Sequence, residues 1–501
     1  MLLRLAKPGV RVVILQSWSQ ILKRRGRVYN PTSFLARHST RIATVLLVAM
    51  LSAGCSRGNR ASVQAPSLSG ADRTYLRLAV ALGERDPDSL DYYYGPDEWV
   101  SDIRKDPPPL TDIRQSARGL AKRLEAASLA SPQDQARRAF LIHQLGAIAS
   151  RADLLLGAPS SFDRETDEFF GIRVPPQPDQ HRLAEVRAEL NDLLPGKGDL
   201  AQRYLLFEKG FIVSRKRLPV VMETALRGCR QRTLAQIAMP AGENVTLRYV
   251  HNKSWSGFSR YLGNFQSLID INTDFALTVD RALQLACHEG YPGHHVYNSL
   301  RDARLVRGEH MTELMVQPTF SPQSLASEAA ATFAVEIAFP QPARADFERE
   351  SLFALAGIDP RKADKYCRIE RLVDELHAAE PAIARDYLDG RLEFVRAGAA
   401  LEKQALMAQS DATLKYINEY RSYMITYTVG RDLVSEAVDQ SPRTTAPEAL
   451  RWHRYLELMN SVAPLPVLAR ANLEASTRTS SRSPIGGQLA AREPGSAAKR
   501  L

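Results

Sequence analysis

The chain has 501 residues, of which 44% are apolar and 24% are charged, so it is long enough for two or three ordinary domains or one large helical domain. Its formal net charge of +10 and its pI near 9.4 are typical of nucleic-acid-binding proteins. However, residues 1–60 hold eleven of the 66 basic residues and no acidic residue, which leaves 55 basic against 56 acidic residues in the rest. The body of the chain is therefore electrically balanced, and no motif in it predicts nucleic-acid binding.

The basic N-terminal segment has the pattern of an export signal. Arg37 and Arg41 precede an apolar run, residues 42–54, which is shorter than the ~20 residues of a membrane-spanning helix. The run ends in LSAGC, which resembles the bacterial lipobox and predicts a lipid on Cys55, although Leu51 stands one place too early for that motif. An ordinary signal peptide followed by an incidental cysteine is the alternative. We expect residues 1–55 to be a leader, and the protein to be anchored in the cell envelope by this lipid, with a mild preference for the outer membrane.

The rest of the chain is predicted to be mainly α-helical. Residues 56–71 are small and polar, as in a flexible tether, and residues 476–501 are of low complexity and are predicted to be disordered. Between them, apolar residues recur at three- and four-residue spacings. This pattern predicts an N-terminal helical region at 72–200 and a second, mostly helical region at 201–475.

Two loops and two strands interrupt the helical pattern. Arg173–Gln180 and Leu193–Asp199 contain the Pro and Gly residues of loops. In Asn244–Asn252, apolar and polar residues alternate as in a half-buried strand, and Ser267–Asn272 is a second extended segment. The chain has three cysteines besides Cys55, too few and too scattered to predict a disulfide framework: Cys229, Cys287 and Cys367.

The stretch CHEGYPGHHVY has the residue types of a catalytic zinc site, which needs three protein ligands and a base. In the common H-E-x-x-H motif the two histidines lie one helical turn apart. Here Glu289 follows His288, but the residue four positions after His288 is Pro292, which cannot continue the helix. If the residues before the Gly-His pair bulge outward, His294 takes the place of the second histidine. If the helix ran straight, His295 would lie on the same face but roughly 10 Å along the axis, so we favour His294 and keep His295 as the alternative ligand.

The stretch HEGYPGHH resembles the HExxPGHH signature of the bacterial domain-of-unknown-function family 885, which is placed among the gluzincin-type zinc metallopeptidases. The preceding IDINTDFALTVDRALQLAC is also similar to that family, and the resemblance extends over roughly residues 72–475. It implies a large helical, zincin-like fold with a deep cleft and a small β element beside the active-site helix. It also implies one Zn²⁺ ion held by His288, His294 and a glutamate from a later helix, and it makes residues 201–475 the catalytic region.

The segment SLASEAAATFAVEIAF matches the helix that supplies the third ligand in this family. The resemblance assigns that role to Glu328, with Glu336 as its rival in the same segment. Ala329 and Ala330 stand where the family usually has Gly-Trp, so the shape of the pocket is expected to differ.

The activity implied is hydrolysis of peptide bonds, mainly of short peptides, by a zinc-activated water with Glu289 as general base. Tyr427 is in register with the family's P-G-Q-A-x-x-Y-x-x-G segment and is expected to stabilise the oxyanion, while Tyr423 replaces the Gln. The two predicted strands offer an edge for a peptide backbone. Because the P-G-Q-A residues are not kept, a catalytically retired envelope lipoprotein that binds peptide or cell-wall ligands is the alternative, and hydrolysis of another amide is a third reading. The sequence does not reveal the oligomeric state.

Overall fold

The computed structural model describes residues 68–129, 131–253, 255–439 and 446–470. The predicted leader with Cys55, the tail at 476–501 and most of the predicted tether lie outside these residues. The first helix begins at Leu68, so the last four residues of the segment expected to be a tether are helical. None of the helices in the described part of the chain is long and apolar enough to cross a membrane.

The protein is mainly α-helical, as the sequence predicts. The described residues form these α-helices: α1 (Leu68–Arg85), α2 (Ser101–Lys105), α3 (Leu110–Glu125), α4 (Pro132–Leu155), α5 (Phe162–Phe170), α6 (Gln180–Leu193), α7 (Leu200–Glu208), α8 (Leu218–Leu234), α9 (Val279–Glu289), α10 (His294–Arg301), α11 (Pro322–Ala338), α12 (Ala343–Phe347), α13 (Ala354–Ala356), α14 (Ala363–Leu376), α15 (Glu380–Leu388), α16 (Phe394–Ala405), α17 (Ser410–Tyr420), α18 (Val429–Asp439) and α19 (Glu448–Met459). Both predicted loops fall between helices, since α5 ends at Phe170, α6 spans Gln180–Leu193 and α7 begins at Leu200.

Two small sheets accompany the helices, built from β1 (Leu90–Tyr93), β2 (Asn244–Val250), β3 (Gly257–Tyr261), β4 (Gln266–Asn272) and β5 (Val316–Pro318). The strands predicted at 244–252 and 267–272 are confirmed as β2 and β4, which pair in parallel with Val245 opposite Ser267. The sequence missed β3, which pairs antiparallel with the other side of β4 and therefore forms one edge of the sheet.

The second sheet joins distant parts of the chain. Strand β1 pairs antiparallel with β5, with Leu90 opposite Pro318 and Tyr93 opposite Val316. Residues from the N-terminal region at 72–200 therefore lie in one sheet with residues of the region at 201–475. Consistent with this pairing, the described residues belong to one compact unit.

Helix α9 packs against α8 and α11 in the larger of two apolar cores. Cys229 of α8 and Cys287 of α9 form a disulfide, while Cys367 is free and buried. The expectation that these cysteines form no disulfide framework is therefore wrong for this pair. Their count and spacing along the chain carry no information on which helices pack side by side.

Candidate metal centre

The histidine-rich stretch forms a break between two helices. Helix α9 ends with His288 and Glu289, and α10 begins at His294. In the turn between them, the Gly293 N–H donates to the Cys287 carbonyl over 3.0 Å, and the Tyr291–Pro292 peptide bond is cis. A Cβ at Gly293 would overlap the carbonyl oxygen of His288, so only glycine fits at this position. The helix is interrupted as the Pro-Gly pair predicts, and His294 starts the next one.

The turn brings three predicted ligands together. The Nε2 atom of His288 lies 3.3 Å from Oε2 of Glu328, and Nε2 of His294 lies 3.3 Å from Oε1 of the same carboxylate. One potential ligand atom from each of the three residues lies within 4.8 Å of the other two. Two imidazoles and one carboxylate are the donor set of many catalytic zinc sites, so these residues suit a divalent metal ion.

His295 points away from this cluster. Its Nδ1 lies 2.8 Å from the hydroxyl of Ser267, and its Nε2 lies 2.9 Å from Oε2 of Glu243. Its side chain is fully buried, and both of its ring nitrogens have partners outside the cluster. The structure places His294 in the cluster and leaves the alternative ligand, His295, outside it.

Glu328 lies on α11, which is buried on nearly all sides. The Tyr423 hydroxyl donates to Oε1 of Glu328 over 3.0 Å, whereas among the described residues the buried Oε2 has only the His288 imidazole nearby, at 3.3 Å and outside hydrogen-bond geometry. A buried carboxylate oxygen without a donor is costly unless a cation completes its coordination. This orphaned oxygen is the second observation that fits a metal ion at the site.

Two further residues of α11, Ala329 and Glu336, have distinct surroundings. A Cβ at Gly430 of α18 would lie 3.0 Å from the Cβ of Ala329, so small residues allow α11 and α18 to pack closely here. Glu336, the rival ligand, lies two turns further along α11, where it pairs with Arg431 at 3.9 Å. The structure does not bring Glu336 to the histidines.

The charges of His294 and Glu328 affect each other's pKa. Burial lowers the pKa of His294, but the Glu328 carboxylate raises it, and the net result is a pKa of about 9. Burial raises the pKa of Glu328, but the charges of His294 and His288 lower it below its usual value of 4.5. A positive charge between these groups is therefore favourable, whether it is a proton or a metal ion.

Glu289 is buried beside the histidines and lines the same cleft. Burial raises its pKa, while the charges of His288 and His294 oppose the increase. A Cβ at Gly257, the first residue of β3, would lie 3.1 Å from Oε1 of Glu289. The backbone of β3 therefore passes close to this carboxylate, and a side chain at this position would also meet Leu285 at 2.6 Å.

Tyr427 lines the cleft near the cluster, with its ring centroid 6.2 Å from that of His288. Its hydroxyl lies 3.1 Å from the hydroxyl of Tyr416. Burial, followed by the charge of Glu328, holds the pKa of Tyr427 well above its usual 10, so the hydroxyl keeps its proton at neutral pH.

The cleft has a volume of about 230 Å³ and includes residues that sequence reasoning missed. Strand β1 supplies Asp91 and Tyr92 to it, and β3 supplies Gly257, Phe258 and Ser259. The sequence predicted that β2 and β4 offer an edge for a substrate backbone. However, β4 is the central strand of its sheet, and β2 does not line the cleft. The edge strand beside the candidate ligands is β3.

Tyrosines form one wall of this cleft. They recur at intervals of four, three and four residues, the spacing of a single helix face: Tyr416, Tyr420, Tyr423 and Tyr427. This spacing is a signal that sequence reasoning could have used, although α17 ends at Tyr420 and α18 begins only at Val429. Asp91 carries no comparable local signal, because only the pairing of β1 with β5 brings it to the site.

No protein-family model matches this sequence, and no curated protein is similar to it. Among solved structures, a candidate lipoprotein from Colwellia psychrerythraea is 13% identical, with a TM-score of 0.45 over 76% of this chain and 72% of that one. A candidate lipoprotein of unknown function from Shewanella oneidensis is 12% identical, with a TM-score of 0.41 over 80% and 82%. The M32 carboxypeptidase from Deinococcus radiodurans R1 is 15% identical, with a TM-score of 0.35 over 81% and 98%. Membership of family 885 stays a prediction, and the chemistry of the cleft follows from its own side chains.

Proposed function

We propose that the protein is a zinc-dependent hydrolase of peptide bonds. The observation that carries this proposal is the convergence of His288, His294 and Glu328 within 4.8 Å of one another, in a cleft that Glu289 also lines. Three protein ligands leave a position open for water or substrate, as in catalytic rather than structural zinc sites. When bound, Zn²⁺ would lower the pKa of a water molecule and polarise the substrate carbonyl.

The residues around the ligands have distinct roles in this proposal. Glu289 accepts a proton from the attacking water and passes it to the leaving amine, since this residue directly follows the first ligand and lines the cleft beside Gly257. Tyr427 donates a hydrogen bond to the oxyanion that forms at the scissile carbonyl. Tyr423 and Ser327 position the ligands, because they contact Glu328 Oε1 and His294 Nδ1 at 3.0 and 3.2 Å.

The cleft favours short peptides. Its volume of about 230 Å³ is below the ~300–1,000 Å³ of pockets that hold drug-sized ligands. Strand β3, as the sheet edge beside Glu289, would hold an extended substrate backbone by adding it as a further strand.

The proposed setting is the cell envelope, with a lipid on Cys55. Disulfides persist mainly in oxidising compartments, so the Cys229–Cys287 bridge supports export independently of the leader sequence. We further propose that the chain is a divergent relative of family 885, on the strength of HEGYPGHH and the position of Glu328.

The test combines metal analysis with peptide cleavage. We expect the purified protein to bind about one equivalent of zinc per chain and to cleave members of a quenched peptide library in a chelator-sensitive manner. Glu289→Gln should abolish cleavage but keep the metal, because Glu289 is not a ligand. His294→Ala should lose the metal, whereas His295→Ala, the matched control, should keep it.

Three outcomes would contradict parts of this proposal. If the protein binds no zinc, the metal site is wrong. If it binds zinc but cleaves no peptide, the alternative of a retired peptide-binding lipoprotein is favoured. If only His295→Ala loses the metal, the assignment of His294 is wrong.

A further inference from the structure

The cleft contains more acidic residues than the proposed reaction uses. Its charged lining residues, apart from the histidines, are all acidic, and none of its described lining residues is Lys or Arg. Glu328 and Glu289 are accounted for as ligand and base. Asp88 and Asp91 remain, on the β1 side of the cleft, and neither has a role in the reaction as proposed.

Among the described residues, neither aspartate is hydrogen-bonded to a Lys or Arg, although the charge of His294 acts on Asp91. Asp91 accepts hydrogen bonds only from neutral donors, Gln317 Nε2 at 2.9 Å and Thr319 Oγ1 at 3.4 Å. The cation near Asp88 is Arg151, whose guanidinium is hydrogen-bonded to Asp86 instead, at 2.6 Å. Burial, followed by the charge of Glu328, raises the pKa of Asp91 to about 6. Its negative charge is therefore unfavourable in this buried setting, and a positively charged ligand would relieve that cost.

The hydroxyl of Ser259 is a second, independent observation that points to a ligand in this cleft. Its side chain is 8% exposed, its hydroxyl has no hydrogen-bond partner, and it lines the cleft from β3. Alternate residues of a strand share a face, so Ser259 lies on the same face of β3 as Gly257 and Tyr261. Gly257 borders Glu289, and the ring of Tyr261 lies 6.4 Å from that of Tyr92 on β1. Strands β1 and β3 contact each other, and Ser259 and Asp91 line the same cleft. A buried hydroxyl left unpaired in this way calls for a donor from a ligand.

The aromatic residues of the cleft are also suited to a cation. The rings of Tyr416 and Tyr420 stack at 4.7 Å, and Trp255 and Phe258 form a second aromatic pair at 5.5 Å. All four side chains line the cleft. Ammonium groups are attracted to aromatic faces as well as to carboxylates, whereas a substrate carboxylate would need an Arg or Lys that this lining lacks.

We propose that the cleft selects peptides that present a cationic group to Asp91 and Ser259, close to the bond that is cut. This inference rests on the proposed peptidase function and specifies its substrate class. The cation is an ammonium or guanidinium group, which a peptide supplies either at its free N-terminus or on a Lys or Arg side chain. Peptides recognised through a free C-terminal carboxylate are excluded by the same charges.

Three short peptides separate these sources. They are Ala-Ala-Ala-amide, with a free N-terminal amine, acetyl-Ala-Lys-Ala-amide, with only a side-chain amine, and the neutral acetyl-Ala-Ala-Ala-amide. We expect one of the two cationic peptides to have a kcat/KM at least about tenfold above that of the neutral peptide, the order expected of one charge-assisted hydrogen bond. The preferred peptide identifies the source of the cation.

Matched variants connect this preference to the residues. Asp91→Asn should remove most of the preference, mainly through KM, and Ser259→Ala should reduce it without a change in charge. Glu98→Gln, which removes a charge from an exposed residue of the same region, is the control and should keep the preference. A thermal melt of each variant checks that it is folded.

Binding to the zinc-loaded Glu289→Gln protein, measured by calorimetry with the same peptides, gives a readout that does not require turnover. A binding preference for a cationic peptide that Asp91→Asn abolishes supports the inference even if no peptide is cleaved. Equal use of all three peptides, or an unchanged preference in Asp91→Asn, would overturn the inference while the hydrolase proposal stands. Absence of both zinc and peptide binding would overturn the two together.

Discussion

The disulfide between Cys229 and Cys287 leads to a quantitative prediction about stability. It connects α8 to the residue directly before His288 and closes a loop with a sequence separation of 58 residues. For a loop of this length, the lost entropy of the unfolded chain corresponds to about 4 kcal/mol at 25 °C. We therefore expect Cys229→Ser/Cys287→Ser to lower the free energy of unfolding by roughly 2–4 kcal/mol, since measured effects often fall below the entropic value.

The assay is urea unfolding followed by circular dichroism, in the presence of a chelator so that metal binding adds no stability of its own. The wild-type protein is measured with and without a reductant, and the double variant is the control. Reduction should lower the stability of the wild type to that of the variant, and the variant should not respond. The reasoning would be refuted if the reduced and oxidised wild type differed by less than about 1 kcal/mol, well below the range typical of natural disulfides.

Three further predictions concern single residues. Tyr423→Phe removes the hydrogen bond to Glu328 and should weaken zinc binding about tenfold in a chelator competition, as expected for a residue that orients a ligand; an unchanged affinity would contradict this role. Gly293→Ala introduces a Cβ that overlaps the His288 carbonyl, so we expect loss of stoichiometric zinc and a lower melting temperature, and a variant with normal zinc content would show that the turn can adapt. Burial raises the pKa of Glu380 from 4.5 to about 8, so the folded state loses stability as pH rises between these values. Glu380→Gln should therefore be more stable than the wild type by on the order of 3 kcal/mol at pH 7 but not below pH 4.5, and equal unfolding curves at pH 7 would refute the shift.

Sequence reasoning predicted the pairing of His288 with His294 because its determinants are local. Pro292 cannot continue the helix and Gly293 permits a close backbone approach, so the offset of His294 follows from the properties of two residues. Glu328 could be identified only by resemblance, because no local structural rule sets its separation from His288 along the chain. Its approach to the histidines depends on how α11 packs against α9.

The features that the sequence did not reveal are all non-local. Strand β3 has a short, irregular pattern, and it becomes recognisable only as the neighbour of β4. Asp91 belongs to a strand of four residues whose partner is β5. The disulfide likewise depends on the packing of α8 beside α9. In each case the information lies in the pairing of elements and not in either segment alone.

The pairing of β1 with β5 also bears on the order in which the protein folds. The hydrogen bond between Asp91 and Gln317 joins residues 226 positions apart, whereas His288 and Glu328 are separated by 40. Contacts between distant residues form slowly, because a long loop must close before they contribute any stability. We therefore expect the ligand cluster to assemble before the acidic side of the cleft does. Under the proposed function, the chain would acquire its ion before it can hold a peptide.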